Sequence, residues 1–488
     1  MTEGIPRPGA TAEVYPPNGS TRDRGNDGSD GIDSLDRGYG LHKGVLSPME
    51  TLAQSVSAMA PSTSPSLTIP LVFALAGNGT WFVYLLTTVA MLLVGFCISG
   101  FARMSASPGS LYTYTADTLR PSLGAVAAWA LLLAYVATGA SVAGGALYYG
   151  NLLMGQVFSS TPPTLVTLAA VIALTAAIAF RDVKLSAEMM LWVEIVSVSL
   201  IAIVLILLLS RYGLRLDRNQ LRLKGVTIPG LGPALVLAMF SFVGFESATT
   251  LGAEAREPLK TIPRAVIQCA ILAGVFFMLC AYSEVLGFQG ESGRLSDSTS
   301  PLHVLARKAG VSPLGTAIDI GAFVSMLACV LACTTAAARV LLRMAHSGLM
   351  PDVFGRTHKR FGTPGAGVAL IGIVMFVSTA VLAIKGVSGT DIYGWLGSIS
   401  VFGFLTAYAL VAISLPLARK ALGQHSHLVT GISWVTVLVM AAGAVGSIYP
   451  VPPAPAIWFP YIYLIYIALG MGWFLVRRKT IHARRTHF

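Results

Sequence analysis

The sequence predicts an all-α polytopic membrane protein with twelve transmembrane helices. Hydrophobic residues make up 54% of the 488 positions and charged ones only 11%, where a soluble domain carries about a quarter charged. Mean hydropathy is +0.71. Twelve apolar stretches follow one another, most of them about the 17–25 residues that a helix needs to cross hydrocarbon. Backbone polar groups in lipid must be satisfied within the segment, which favours helices over a barrel. Barrel strands would alternate at every second residue, and these runs are apolar all round.

The stretches run 48–77, 81–103, 121–155, 163–180, 186–210, 229–253, 264–288, 312–343, 365–385, 391–418, 427–449 and 455–476. Ahead of them, residues 1–45 are rich in Gly, Ser, Asp and Arg without an apolar run, which predicts a disordered tail. No signal peptide is expected, because the first hydrophobic segment begins late and no cleavage-like site follows it. The chain closes on a short basic tail, 477–488.

The first stretch is interrupted. S-V-S-A-M-A-P-S-T-S-P-S-L-T-I-P, Ser55 to Pro70, carries three prolines and a cluster of hydroxyls where a lipid-facing helix would carry Leu and Val. Pro61 and Pro65 each remove an amide donor and clash with the preceding turn. Irregular backbone at membrane depth is tolerated only when buried in protein or lining a cavity. A break would present carbonyls at one half-helix end and amides at the other, suited to cations and anions respectively. Ser62, Thr63, Ser64 and Ser66 add hydroxyls. The structural alternative is a proline kink whose hydroxyls bond back to the helix.

Loop charges set the orientation. Arg103 and Arg120, Arg181 and Lys184, Arg256, Lys260 and Arg264, Arg356, Lys359 and Arg360, and Arg419 and Lys420 fall on the side of the two tails. A multi-pass protein of the cytoplasmic membrane with both termini in the cytoplasm is expected. One loop dissents, 211–224, which puts Arg211, Arg215, Arg218, Arg222 and Lys224 outside. It reads as an amphipathic turn on the outer headgroups, with steering of anionic solutes as the alternative. The net charge of +11 is mainly a topology signal and gives no support for a nucleic-acid partner.

Cysteine and histidine usage argues against several enzyme classes. Cys97, Cys269, Cys280, Cys329 and Cys333 lie in apolar helices without Cys-x-x-Cys spacing and read as small buried hydrophobes. The eight histidines fall at helix ends, loops or tails, so a metal or haem site is not expected. No nucleotide-binding G-x-x-x-x-G-K-S/T pattern occurs. No cofactor is expected, and movement of a solute would draw on gradients.

The sixth stretch carries a second interruption. A-M-F-S-F-V-G-F-E-S-A-T-T-L-G-A-E, Ala238 to Glu254, places Gly244 and Glu246 in the middle of a hydrophobic helix. Paired interruptions at matching places in two halves point to a transporter's central site. Here they open the first helix of spans 1–5 and of spans 6–10, with two helices left over. That spacing suits an inverted repeat of about 48–210 and 229–418, followed by extra helices over 427–476.

Four further segments carry a family resemblance. F-S-F-V-G-F-E-S-A-T-T-L-G-A-E-A-R-E-P-L-K-T-I-P-R-A (240–265) and A-R-V-L-L-R-M-A-H-S-G-L-M-P-D-V-F (338–354), the latter followed by G-T-P, are the strongest. S-P-G-S-L-Y-T-Y (107–114) and Y-G-W-L-G-S-I-S-V-F-G-F-L (393–405) agree in place and kind. Together they resemble the amino acid–polyamine–organocation (APC) family of secondary transporters, over all twelve spans and excluding only the tails. The resemblance implies two inverted five-helix repeats and a solute site between broken helices 1 and 6. A substrate amine would meet carbonyls of Pro61, Phe240 and Val243, and a carboxylate the groups around Ser64 and Ser66. Phe240 falls where the family often has an aromatic gate closing from outside. Tyr135, Cys333 and Thr334 fall where the substrate side chain is lined.

Two departures stand out. Many relatives carry a glycine-rich G-S/A-G in the first break, where this chain has Thr63, Ser64 and Pro65. Pro65 has no N–H, which weakens recognition of an α-carboxylate and favours an amine. Some exchangers place a lysine in span 5, where Ser197 stands here.

Glu246 is the proton-coupling candidate, since an uncompensated charge at membrane depth costs at least about 2.5 kcal/mol. Its alternative role is to brace span 6. Glu194 and Glu284 are weaker candidates, nearer to bundle packing and to a helix end. Glu254, Arg256 and Arg264 are expected at headgroup level, with an inner gate pair as the alternative. Arg339 and Arg343 are expected to snorkel. The small residues of 137–146 suggest close helix packing.

The functional expectation is a secondary active transporter of a small amino compound, acting as a monomer or homodimer in the bilayer and not as an enzyme. An amino acid is the first choice and a polyamine or other organic amine the second. The proton is the expected coupling ion, with sodium as the alternative. A non-transporting sensor would be expected to carry an appended signalling domain, and the short tails show none.

Overall fold

A computed structural model describes residues 39–158, 162–181, 183–211, 216–291 and 293–485. Residues 1–38 of the expected disordered tail, 486–488 of the basic tail and 212–215 of the dissenting loop lie outside the described residues.

The helices follow in chain order as α1 Pro48–Met59, α2 Ile69–Ala76, α3 Thr80–Ala102, α4 Ser110–Thr118, α5 Pro121–Phe158, α6 Thr164–Arg181, α7 Val183–Arg211 and α8 Arg218–Leu221. Then come α9 Ile228–Phe240, α10 Pro258–Gly287, α11 Pro301–Lys308, α12 Ser312–His346, α13 Gly365–Ile384, α14 Gly389–Ala421, α15 His427–Gly446 and α16 Phe459–Arg485. Among the described residues, 10 helical runs are long and apolar enough to cross a membrane, and α9 is a shorter apolar helix. The first run, Pro48–Ala102, is 55 residues long and holds α1 to α3. The all-helical class is therefore as expected, with a single isolated bridge, Leu46 to Ala255, among the described residues.

Burial sorts the helices. The apolar stretches of α5 and α12 are mostly buried, whereas less than a third of those of α6, α15 and α16 is buried. α5 lies against both α12 and α14, and α10 against α3. Exposed Trp192, Ile203 and Ile206 on α7, and Leu469 and Val476 on α16, are what a lipid-facing surface requires. In hydrocarbon they lose nothing by exposure, and only the backbone must be satisfied internally.

Local chemistry sets the ends that matter. The Ser47 hydroxyl accepts from the Glu50 amide at 3.3 Å, and a Glu50 carboxylate oxygen accepts from the Ser47 amide at 2.6 Å. This capping box, with Pro48 in the first turn, fixes the start of α1. α1 stops at Ala60, which adopts a left-handed conformation with φ 48°, and Pro61 prevents its continuation. With no N–H at Pro65 or Pro70, the i−4 ladder cannot run through. The Ile69 amide instead reaches back five residues to the Ser64 carbonyl, making one π-helical turn over Ser64–Thr68. Such turns inside α-helices recur at functional sites.

The sixth stretch departs further from expectation. Its helix ends at Phe240, and residues 241–257 form turns and a 3₁₀ segment, Ser247–Leu251, instead of a second half-helix to 253. Gly244 takes φ +93°. The Thr249 and Thr250 hydroxyls bond to the carbonyls of Glu246 and Ser247 at 2.7 Å each. Side chains that compete in this way for backbone acceptors favour tight turns over α-helix.

Short parts of both tails are described. Residues 44–46 are attached to the bundle: the Leu46 amide donates to the Glu254 carbonyl at 3.1 Å, the Arg256 amide to the Leu46 carbonyl at 2.9 Å, and Arg256 Nε to the Gly44 carbonyl at 3.0 Å. Residues 477–485 continue α16 as helix.

Candidate functional site

The two interruptions face one another. A Cβ on Gly244 would lie 2.8 Å from Ala58 Cβ and 2.9 Å from the Ala58 carbonyl oxygen, so only glycine allows this approach. The Ser247 hydroxyl donates to the Gln54 carbonyl at 3.0 Å, and the Ala248 amide to the Ser55 hydroxyl at 3.0 Å. α12 closes a third side, where Gln54 Nε2 donates to the Ala332 carbonyl at 2.9 Å and the Cys329 thiol to the Ala58 carbonyl at 3.2 Å. Backbone from two broken helices is thus held together by single, short polar contacts.

Within the first break the hydroxyls divide. Ser66 Oγ donates to the Ser62 carbonyl at 2.8 Å, the back-bonding expected of a proline kink. The hydroxyls of Ser57, Ser62 and Thr63 are buried with no hydrogen-bond partner. A buried hydroxyl left unpaired costs about 1–3 kcal/mol, and two of these three stand at the break itself. Ser64 and Pro61 are buried beside them. At the second break the Phe240 carbonyl accepts from the Val243 amide at 3.2 Å. It has one lone pair left for a ligand.

Aromatic side chains cover the pair of breaks. The Phe240 ring lies 5.3 Å from that of Tyr393, edge to face, and Gly397 approaches it so closely that a Cβ would fall 2.6 Å from the ring. The Tyr393 hydroxyl pairs with that of Thr68 at 2.7 Å, and its carbonyl accepts from Ser141 Oγ at 2.5 Å. Tyr393 thereby ties α14 to the turn after the first break and to α5.

Glu246 is fully buried and doubly bonded. Its Oε1 accepts from the Tyr135 hydroxyl at 2.8 Å and its Oε2 from the Tyr408 hydroxyl at 2.6 Å. Tyr135, expected beside the substrate side chain, turns its hydroxyl to this carboxylate. Cys333 lies 4.0 Å from Cys329, sulfur to sulfur, close to the first break. The Thr334 hydroxyl donates to the Val330 carbonyl at 2.7 Å and approaches Met375 Sδ at 3.6 Å, so it is occupied on its own helix. Ser197 bonds the Gly321 carbonyl at 3.1 Å, and both Glu194 oxygens lie within 3.0 Å of Ser325 Oγ.

One expectation is corrected. Arg339 does not snorkel. It is 2% exposed and forms a two-pronged pair with Glu254, itself 0% exposed, through Nε at 2.6 Å and Nη2 at 2.7 Å. Glu254 is therefore paired inside the protein, while Arg256 and Arg264 are exposed. An ion pair with both partners desolvated holds only if it is closely matched, and a guanidinium fork meets that need. His303 Nδ1 lies 3.0 Å from Asp319 Oδ2. No group of three or more potential metal ligands occurs among the described residues.

Tyr393, Tyr408 and the Glu254–Arg339 pair are not recognisable from the sequence reading. Tyr393 opens one of the resemblance segments, which is a usable signal. Tyr408 sits on an apolar helix and gives none.

A membrane bundle whose two interrupted helices confront one another is the layout of helical solute transporters. The chain belongs to the amino acid permease family, whose sequence profile it matches over residues 59–485. It is similar to the methylthioribose transporter of Bacillus subtilis, 25% identical over 422 residues, covering 83% of this chain and 87% of that one. It is also similar to the low-affinity putrescine importer PlaP of Escherichia coli, 26% identical over 405 residues, covering 75% of this chain and 84% of that one. In fold it is similar to the crystal structure of a mutant manganese transporter from Eremococcus coleocola, with a TM-score of 0.57 over 90% of this chain and 94% of that one at 13% identity.

Proposed function

We propose that the chain is a secondary active transporter of the cell membrane that moves amino acids by alternating access, gripping them between the two breaks. The single observation that carries this is the close approach of Gly244 to Ala58 beside the unpaired hydroxyls of Ser62 and Thr63. In this account α1–α3, α5–α7, α9 with the turns after it, α10 and α12–α16 make twelve spans, ten of them two inverted five-helix repeats. Both termini are cytoplasmic.

The solute's amine would meet carbonyls at the end of α1 and α9, and an acid group the hydroxyls of Ser62, Thr63 and Ser64. Phe240, backed by Tyr393, would form the gate. Phe240→Ala is expected to lower uptake at least tenfold while the protein remains monodisperse in detergent, because a cover removed from the solute leaves the bundle's packing largely intact. Unchanged uptake in proteoliposomes would remove Phe240 from the gate.

A polyamine or other organic amine is the second reading. Pro65 offers no amide to a carboxylate, and a putrescine importer is among the similar proteins. A thermal-shift screen of the purified protein against amino acids and diamines separates the two. Stabilisation by amino acids alone supports the first reading, and by diamines alone the second.

Glu246 is the proposed proton carrier. A carboxylate can accept from both tyrosines, whereas a protonated acid must turn one oxygen into a donor. Loading a proton would therefore reverse or release the bond to Tyr135 or Tyr408 and change how α5 or α14 is held to the second break. Glu246→Gln is expected to flatten the pH dependence of uptake, and a persisting dependence would assign coupling to another group.

A further inference from the structure

The chain ahead of α1 is attached to the bundle at two places. At the near one Leu46 is fully buried, in an apolar cluster with Ala58 of α1 and Leu251 of the 3₁₀ segment. Its amide donates to the Glu254 carbonyl, its carbonyl accepts from the Arg256 amide, and Arg256 Nε reaches the Gly44 carbonyl, all within 3.1 Å. At the far one the Thr357 hydroxyl donates to the Gly40 carbonyl at 3.0 Å. There the Tyr39 ring stands edge-on to that of His346, centroids 5.0 Å apart, with the Arg343 guanidinium 5.9 Å from the same ring. The His42 ring lies against Gly362, where a Cβ would fall 2.8 Å from His42 Cδ2. Residues 42–44, between the two attachments, are exposed.

The polar partners at the two ends belong to different parts of the molecule. Glu254 and Arg256 are on the chain that leaves the second break. His346 closes α12, and Thr357 and Gly362 lie on the segment before α13. That segment is itself fixed to α6: Thr363 Oγ1 donates to the Phe180 carbonyl at 2.6 Å, and the Phe180 and His358 rings meet at 5.3 Å. Residues 39–46 therefore bridge the exit of the second break and the α6–α12 side, two parts that the Glu254–Arg339 pair joins from within.

The ends are unequal. Three hydrogen bonds and a fully buried leucine hold the near end. One hydrogen bond, ring contacts and Leu41, 8% exposed, hold the far end. Hydrogen bonds of one kind contribute similar amounts, so the far end parts first.

We propose that residues 39–46 are a releasable strap. While its far end is down, the strap holds the exit of the second break against α12 and the segment before α13. The bundle opens on this face, cytoplasmic in the proposed orientation, only when Tyr39 and Gly40 lift. The role, though not the attachment, rests on the alternating-access reading.

A cross-link tests this directly. A Cβ on Gly40 would lie 3.6 Å from Thr357 Cβ, inside the window of about 3.5–4.5 Å that a disulfide requires. Gly40 has φ +64°, so a cysteine there is strained, but the segment is exposed. The native cysteines are buried. Gly40→Cys with Thr357→Cys in the full-length protein can thus be closed by an oxidant and reopened by a reductant.

Hydrogen–deuterium exchange in lipid needs no solute. Oxidation is expected to slow exchange of the amides over 241–257 at least tenfold. Tyr39→Ala with Thr357→Val, which frees the far end without a cross-link, should speed it. Equal exchange in the oxidised and reduced forms overturns the strap. Should the cysteine pair fail to fold or close, wild-type exchange in the Tyr39→Ala, Thr357→Val variant overturns it as well. Proteoliposome uptake of the solute found by thermal shift separates the strap from the transport reading. Oxidation should lower uptake at least tenfold, and reductant should restore it. A cross-linked protein that transports at the reduced rate overturns the strap and leaves the transport reading intact. A reduced protein that moves nothing, while its exchange still responds to the cross-link, overturns the transport reading and supports the strap.

Discussion

Arg339→Ala is expected to destabilise the folded protein by about 3–5 kcal/mol, a large share of the stability of any fold. The guanidinium holds both oxygens of Glu254 at 2.6 and 2.7 Å and also donates through Nη1 to the Thr335 carbonyl at 3.1 Å. Removing it strands a carboxylate that has no access to water. Glu254→Ala should cost a similar amount for the mirror-image reason, leaving a buried guanidinium. The loss comes from a stranded charge and not from a bond of that intrinsic strength, so the double replacement Glu254→Leu with Arg339→Met should recover most of it. Unfolding of the purified variants in denaturant checks all three. Additive losses in the double variant would show that the two residues do not act as a pair.

The same pair bears on movement. Glu254 lies between the second break and the Leu46 bridge, and Arg339 lies on α12, which also touches α1 at Ala58 and Gln54. In the proposed cycle this junction is cytoplasmic, and a change of access on that side must stretch or part it.

Gly244→Ala is the second large effect. At φ +93° an added side chain carries backbone strain of about 1–3 kcal/mol. Here it also meets the Ala58 carbonyl at 2.9 Å, which cannot step aside without moving the end of α1. The two breaks would be pushed apart, and solute binding measured by thermal shift or calorimetry should fall more than tenfold. Gly386 supplies the comparison. Its φ is +81°, but nothing lies within 4 Å of its Cβ position, so Gly386→Ala should carry the strain alone and leave binding unchanged. Equal effects on binding at the two sites would mean that proximity to Ala58 is irrelevant.

What the sequence makes legible is local. Proline lacks an N–H wherever it stands, so the break at Pro61 and Pro65 can be read from the residues. The span positions follow from hydrophobic length, and Gly244 beside Glu246 marks the second break. What it conceals is produced by contacts far apart in the chain. Glu254 and Arg339 are 85 residues apart, and Glu246 and Tyr408 are 162 apart. Nothing in either neighbourhood announces its partner. Each charge of the Glu254–Arg339 pair, judged alone, belongs where a solitary charge is cheapest, at the headgroups. The turns after Phe240 are hidden for a related reason: an apolar run reads as helix by period, and only the threonine hydroxyls and the glycine conformation reveal otherwise. The attachment of residues 44–46 depends mostly on main-chain atoms, which composition does not register.

The central claim is that two interrupted helices jointly hold the solute through their exposed backbone ends. A cryo-electron-microscopy structure of the full-length protein with a solute chosen by the thermal-shift screen tests it most directly. The account predicts density for that solute between residues 58–66 and 240–247, with its amine against main-chain carbonyls and the Phe240 ring across it. A solute resting elsewhere, or α1 and α9 running on as unbroken helices through those positions, would contradict it.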